Sequence, residues 1–443
     1  METEKTEIKV LRDFIPILER FSRKEIVVIS ILSVFLILGV VGLLFQVIYG
    51  HIVTGMRDNV MWGVFIANFI FFMGLGYSGA VISAVFRLFK VKWGLPLVRM
   101  VEIITVISIL IGPVYVLLCM GRLDRLQHLI TEGRIQSPIY WDFMAINTFI
   151  VGSIIFLYVT SIRDLAILRD NSDLLKIGKF RKRIYSLFSL NYKNTPSQAK
   201  HLRQAINIIS TIIIPIAIIL STILSWIFGM TLRPGWHSTI FGPYFVFASI
   251  YSGTGLLIIL MIIFRKVYKL EKYIEEKHFR YISVILMVTG AFYGYLTFTE
   301  YLTGWYGSES WELELIFKFF TPTFYGVLFF FSSFFGILVP VAICAVPKLR
   351  TIPFVTVSGI LVVISLWIKR YILIIPTLET PLLPIQDTRL EYITYSPTWV
   401  EWSMVAGGFA LFITLFIIIS KFMPIVSIAE VSEAIDAGNQ NKS

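Results

Sequence analysis

Apolar residues gather into about ten runs near the 20-residue length needed to cross a bilayer as helix. The runs cover 26–49, 61–88, 97–120, 139–160, 205–228, 240–264, 281–303, 321–346, 352–375 and 400–423. This pattern predicts an all-α polytopic membrane protein. Ahead of the first run, Val10, Leu11, Phe14, Leu18 and Phe21 share one helical face, with Arg12, Asp13, Glu19 and Arg20 largely elsewhere. That periodicity predicts an amphipathic helix over the first 25 residues, lying at the membrane interface or docked on a partner protein.

Two of the runs resemble each other. GYSGAVISAVFRLFK in the second and IYSGTGLLIILMIIFRK in the sixth both carry Tyr-Ser-Gly near the middle and end on basic residues. Runs four spans apart point the same way, as parallel repeats do. The repeat predicts two four-helix bundles, spans two to five (61–228) and six to nine (240–375). The first span (26–60) and the last (400–423) are then peripheral, and 424–443 is a tail. Chance similarity of small-residue packing motifs is the alternative.

Charge orients the spans. Thirty of the 39 Lys and Arg residues fall on the side of the N-terminus, ten of them in the loop 163–203. Seven fall on the opposite side, which carries Glu309, Glu312, Glu314, Glu379, Asp387, Glu391 and Glu401. Lys369 and Arg370 lie inside the ninth span. The bias alternates at every loop and predicts both termini inside. Composition agrees, with 56% hydrophobic and 15% charged residues and a mean hydropathy of +0.79. A net charge of +11 therefore reads as inner loops facing anionic lipid, with no role for nucleic acid. The first 25 residues hold acids as well as bases, and the run after them is too long for a signal-peptide core, so a retained N-terminus is expected.

Some motifs exclude rather than identify. GLGYSG matches the dinucleotide pattern GxGxxG, but lies within a membrane span with no strand before it, where it serves close packing. There is no GxxxxGK[ST] loop and no HExxH. Two cysteines are too few for an iron–sulfur ligand set. His51, His128, His201, His237 and His278 all fall in loops or near span ends, so no haem in this chain and no metal site is expected.

Ionisable groups near hydrocarbon are costly and mark cavities or partners. Arg122, Asp142, His237, Glu300, Lys369 and Arg370 all fall toward the outer ends of different spans. Trp141, Trp236, Tyr301, Trp305 and Tyr306 lie among them. Taken one at a time these are interfacial anchors and helix caps. Together they predict an outer-face pocket suited to a lipid-soluble quinol, which needs hydrogen bonds to two oxygens and proton acceptors. In the third span Glu102, Thr105, Ser108, Gly112, Tyr115, Cys119 and Arg122 recur on one face. That stripe is a candidate proton path through Glu102, Thr105, Ser108 and Tyr115, or a helix contact; Arg99 and Lys92 are the expected counterions of Glu102.

YSGAVISA, VEIIT, GR followed by SPIYWD, PGWHSTIFGPYFVFASIYSG, TEYLTGWYG and KRYILIIPTL occur in that order. With this set the chain resembles the NrfD/PsrC superfamily of polysulfide reductase membrane subunits, and within it the quinol-binding subunit of alternative complex III. The resemblance covers spans two to nine and both flanks. It implies a membrane subunit exchanging electrons between quinone (menaquinone or ubiquinone) and an iron–sulfur, ferredoxin-like subunit outside. It further implies a molybdopterin-type or multihaem catalytic subunit, other membrane subunits and coupling to proton movement. Asp142 matches the family's functional acid. The family pattern HxGRP reads CMGRL here, so Cys119 stands in place of a quinone-site His, as Tyr77 does in the second span.

The leading expectation is a quinone site with Asp142 as proton acceptor, Arg122 as its electrostatic partner and His237 as donor or second base. Cys119, Trp141, Glu300 and Arg370 complete it. A structural anchor with lost quinone chemistry, favoured by Cys119, and a secondary transporter are the other readings.

Overall fold

Sharp local signals set the helix ends. Ser22 Oγ accepts from Glu25 N at 3.2 Å while Glu25 Oε2 accepts from Ser22 N at 2.6 Å, a reciprocal cap that starts the first span. Thr195 caps the fifth span through Gln198 N, and Pro96, Pro138 and Pro196 stand in first turns, where no N–H is needed. The computed structural model describes residues 2–175, 178–381 and 394–440. Lys176, Asp387, Arg389, Glu391 and Lys442 lie outside the described residues.

The helices are α1 (Glu2–Glu19), α2 (Arg23–Tyr49), α3 (Gly63–Leu88), α4 (Leu95–Cys119), α5 (His128–Thr131), α6 (Pro138–Asp170), α7 (Lys179–Phe188) and α8 (Pro196–Gly229). There follow α9 (Phe241–Val267), α10 (Glu276–Gly307), α11 (Ser310–Phe320), α12 (Phe324–Ser333), α13 (Val339–Ala345), α14 (Ile352–Leu378), α15 (Trp399–Phe422) and α16 (Ile428–Gln440). Among the described residues ten helices are long and apolar enough to span a membrane, α12 and α13 forming one of them, and there is no strand. The protein is all-α and multi-pass.

The spans pack in two groups of neighbouring helices. In the first bundle α3, α4, α6 and α8 form a ring, each on the next; α9, α10, α12–α13 and α14 form the second. The bundles meet where α3 crosses α9, and there the two Tyr-Ser-Gly stretches touch. Gly253 lies on the Ser78 side chain, and Gly74 faces Ser249. The repeated small residues thus let the repeat-related helices approach at their middles.

Between α12 and α13, Phe334–Leu338 forms a π-helical turn. Pro340 has no N–H to donate to Gly336, the residue four before it, so that carbonyl is free inside the span. Tyr251 of α9 fills the vacancy, its hydroxyl donating to Gly336 O at 2.8 Å.

α2 and α15 pair on the flank, α15 resting against α4, with Gly39 and Gly407 backbone to backbone. A Cβ on Gly407 would sit 3.0 Å from Gly39 Cα, and backbone cannot yield as a side-chain tip can. Gly407→Leu is expected to part the two helices and cost about 1–3 kcal/mol. Thermal unfolding in detergent, with a cysteine cross-link between α2 and α15, checks this; unchanged cross-linking would contradict it.

The tail expected at 424–443 contains a docked helix. α1 packs on α16 and α15, burying Val10, Leu11, Phe14, Ile17 and Leu18, so its apolar face meets this chain. Three further helices went unforeseen: the one-turn α5 between the third and fourth spans, α7 in the basic loop, and α11 between the seventh and eighth spans.

Candidate functional site

The end of the molecule bearing α1, α7 and α16 is the basic end; the other is the far end. The expected single outer cluster is divided at the far end, because each bundle buries its own polar groups in its own interior.

In the first bundle, Asp142 sits just past the first turn of α6, where Pro138 follows Ser137 as first helical residue. It is 5% exposed, and its Oδ1 has no hydrogen-bond partner among the described residues. Tyr77 of α3, packed on Phe149 at 4.9 Å between ring centroids, is its electrostatic neighbour, and its hydroxyl is likewise unpartnered. Arg122 does not join them. It is exposed and pairs with Asp124 at 2.7 Å, since α4 ends at Cys119 and carries the chain outward before Arg122. The expected Arg122–Asp142 partnership is therefore not formed. Cys119 Sγ donates weakly to Trp62 O at 3.6 Å. Trp62 stacks on Trp236 at 5.8 Å, and Trp236 Nε1 donates to Leu373 O at 2.7 Å, forming an aromatic seam between the bundles. Trp141 donates to the Ile135 carbonyl and packs edge-on against Trp226.

His237 and Glu300 lie on either side of Ser238 near the junction. A cavity of ≈ 480 Å³ is lined by Trp226, Gly229 and Met230 of the α8 end, His237 to Ile240 of the following loop, and Thr303 of α10. Ser238 Oγ donates from this wall to Glu300 Oε2 at 2.6 Å. Glu300 also lines a second cavity of ≈ 50 Å³ with Tyr244, Tyr301, Ile372, Leu373 and Glu312. Glu300 thus stands between the two. Burial, and then the neighbouring Glu309, raise the Glu312 carboxyl above the ordinary range, and His237 pulls it back.

Arg370 is deeper in the second bundle, its guanidinium 4.5 Å from the Phe245 ring centroid and within electrostatic reach of Tyr293 and Tyr244. Those two hydroxyls bond each other at 2.9 Å. Lys369 points into the same bundle, over the rings of Phe329 and Tyr301.

The stripe on α4 is buried, but no hydrogen bond links its members. Thr105 donates to Val101 O at 2.9 Å, Tyr115 to Met404 O and Val405 O, and Ser108 has no partner among the described residues. Gly79 of α3 lies directly on Val101 and Thr105, so this face is a helix contact. Glu102 is saturated instead. It receives Arg87 Nε and Nη2 at 3.0 and 2.8 Å, Ser83 at 2.7 Å and Thr160 at 2.9 Å, and pairs with Arg99 at 3.3 Å. Arg99 also binds Asp164 at 2.9 Å, whose other oxygen accepts from Ala429 N at 3.0 Å, and Arg87 pairs with Glu430 of α16. Of the two expected counterions Arg99 is correct; exposed Lys92 is replaced by Arg87.

Sequence reasoning missed Arg87, Asp164 and Glu430. Arg87 and Asp164 sit in flanks that read as orientation signals, and Glu430 lies 343 positions from Arg87. Among the described residues no group of three or more His, Cys, Asp or Glu is arranged to hold a metal ion.

Among the described residues the protein is helical with ten candidate membrane spans, buried acids at one end and a saturated ion cluster at the other. The chain belongs to the family described as polysulphide reductase, NrfD, which matches residues 52–381. It is 24% identical over 253 residues to a Halobacterium salinarum protein assigned as a membrane subunit of dimethyl sulfoxide reductase, and the match takes in 56% of this chain and 54% of that protein. It thus spans about half the length of that relative. A selenate reductase subunit of Mesobacillus selenatarsenatis is 24% identical over 89% of this chain and 93% of its own. The Hdr-like menaquinol oxidoreductase integral membrane subunit of Archaeoglobus fulgidus is 22% identical over 86% of this chain and 89% of its own.

Proposed function

We propose that this chain is the quinone-interacting membrane subunit of a respiratory oxidoreductase complex. It exchanges electrons between the membrane quinone pool, menaquinone or ubiquinone, and an iron–sulfur, ferredoxin-like partner docked at the far end. A molybdopterin-type or multihaem catalytic subunit and other membrane subunits lie beyond that partner. The observation that carries this is the ≈ 480 Å³ cavity at the bundle junction, with His237 and Ser238 in its wall and Glu300 behind Ser238. Its volume is within the range of about 300–1,000 Å³ usual for small-molecule sites. Trp226, Met230 and Ile240 offer apolar walls for a ring. His237 supplies a hydrogen bond or takes a proton. Ser238 passes a proton between the cavity and the Glu300 carboxylate. Asp142 is the second buried acceptor, next in sequence to Trp141, whose ring packs on Trp226 of the cavity wall. The relatives' names support the reading, since they are those of subunits of two reductases and of a menaquinol oxidoreductase.

The basic end faces the cytoplasm in this reading and the far end the periplasm, because thirty Lys and Arg residues resist translocation. Proton movement accompanies electron transfer.

One observation favours a second reading, the structural anchor. Cys119, where the family carries a histidine, spends its hydrogen bond on the Trp62 carbonyl. Purification of the complex in mild detergent, followed by quinone extraction and identification of co-purifying chains, separates the two. The quinone subunit retains about one quinone per chain and an iron–sulfur partner; the anchor retains the partner alone.

A further inference from the structure

Lys369 has a place in the second bundle but no polar partner there. Its side chain is buried, at 4% exposure, and its Nζ has neither hydrogen bond nor ion pair among the described residues. It lies 4.1 Å from the ring centroid of Phe329 and 5.5 Å from that of Tyr301. Ring faces offer a cation about 0.5–2 kcal/mol, far less than the cost of stripping an ammonium of water. A buried amine in this setting calls for an acceptor from outside the protein's own side chains.

The place for that acceptor lies one turn along α14. Ile372 and Leu373, three and four residues on and so on the same face, line the ≈ 50 Å³ cavity with Glu300, Tyr244 and Tyr301. That volume is too small for a quinone ring but suffices for one or two waters, each claiming about 30 Å³ in the liquid. The other groups nearby are poorly suited to exchange protons. Tyr244 and Tyr293 bond each other, Arg370 has donors only, Glu312 lines the cavity from α11 outside the spans, and His237 lines the larger cavity instead.

We propose that Lys369 is an internal proton acceptor behind Glu300, joined to it by water in the small cavity. The source of the proton rests on the quinol reading above; the Glu300–Lys369 link does not. As quinol gives its electrons to the iron–sulfur partner, its O–H bond breaks and the proton passes by Ser238 to the Glu300 carboxylate. The carboxyl O–H bond then breaks, water hands the proton on, and an N–H bond forms on Lys369. Carboxylate and ammonium then attract each other across the cavity, which keeps the proton from returning to the quinone site.

The test uses the full complex in liposomes, with Lys369→Met and, as a second substitution with the same expectation, Lys369→Gln. Infrared difference spectra are recorded without added quinol while the buffer pH is alternated. The Glu300 carboxyl band is identified by its loss in Glu300→Gln. Removing the amine is expected to change that band's amplitude by about half or more; an unchanged band in both lysine variants overturns the link. With quinol supplied, kcat is expected to fall about tenfold at unchanged KM and unchanged quinone content. Wild-type kcat in both variants overturns the proton-acceptor role. If wild type binds no quinone, the functional reading fails, and the infrared experiment still decides the Glu300–Lys369 link.

Discussion

Asp142→Asn lowers quinol-dependent turnover by at least about tenfold, while the complex still assembles. The amide keeps the shape of the carboxylate and most of its hydrogen bonding but cannot accept a proton. A general base contributes typically about two to four orders of magnitude in rate. The lower figure allows for Glu300, which accepts a hydrogen bond from Ser238 in the wall of the junction cavity. Asp142 qualifies because Oδ1 is buried without a partner, a costly arrangement unless something arrives to use it. Steady-state quinol oxidation, with size-exclusion chromatography to confirm assembly, is the measurement. If turnover persists, Asp142 is a buried helix-start residue, and proton acceptance falls to Glu300 alone. Cys119→His should be tolerated under the quinone reading and should move the pH optimum toward the histidine range.

Glu102→Ala removes most of the folded protein. The substitution leaves Arg87 and Arg99, with side chains only 6% and 0% exposed, facing each other across a space closed to solvent. Breaking a buried ion pair from one side costs about 3–5 kcal/mol, a large share of a typical domain's stability. Here two arginines lose a partner at once, although Asp164 and Glu430 still hold one each. The expected readout is a collapse of the monodisperse peak after mild heating, with little folded material recovered. Arg122→Ala is the contrast. Its pair with Asp124 is exposed, and its loss should leave the melting curve within error.

The architecture was legible because lipid imposes a one-dimensional rule. Every span must be long and apolar, and every loop reports its side by charge. Tyr77-Ser78-Gly79 and Tyr251-Ser252-Gly253 stood out as similar small-residue stretches, and Ser78 and Gly253 of the two lie against each other. The grouping of the polar residues was harder to read. Hydropathy gives depth but not direction around a helix bundle, so Asp142 and Glu300 looked like one cluster while facing different interiors. Arg122 looked like a membrane arginine because the apolar run seemed to continue past Cys119. Lys369 was legible as a charge within a span, but only packing reveals that no carboxylate among the described residues meets it. Arg87 with Glu430 is the extreme case, since no periodic signal joins residues so far apart.

That last pair has a consequence for biogenesis. Glu102 and Arg99 leave the ribosome within 15 residues of Arg87, but Glu430 follows 343 positions later. At about 5–20 residues per second, Arg87 waits roughly 20–70 s for its second carboxylate. Asp164 waits as well, for Ala429 N arrives 265 residues after it. The first bundle is therefore closed at its basic end by a helix made long after its own. A chain truncated before Glu430 is expected to keep a charged crevice there, lacking the contacts that Arg87 and Asp164 make with α16.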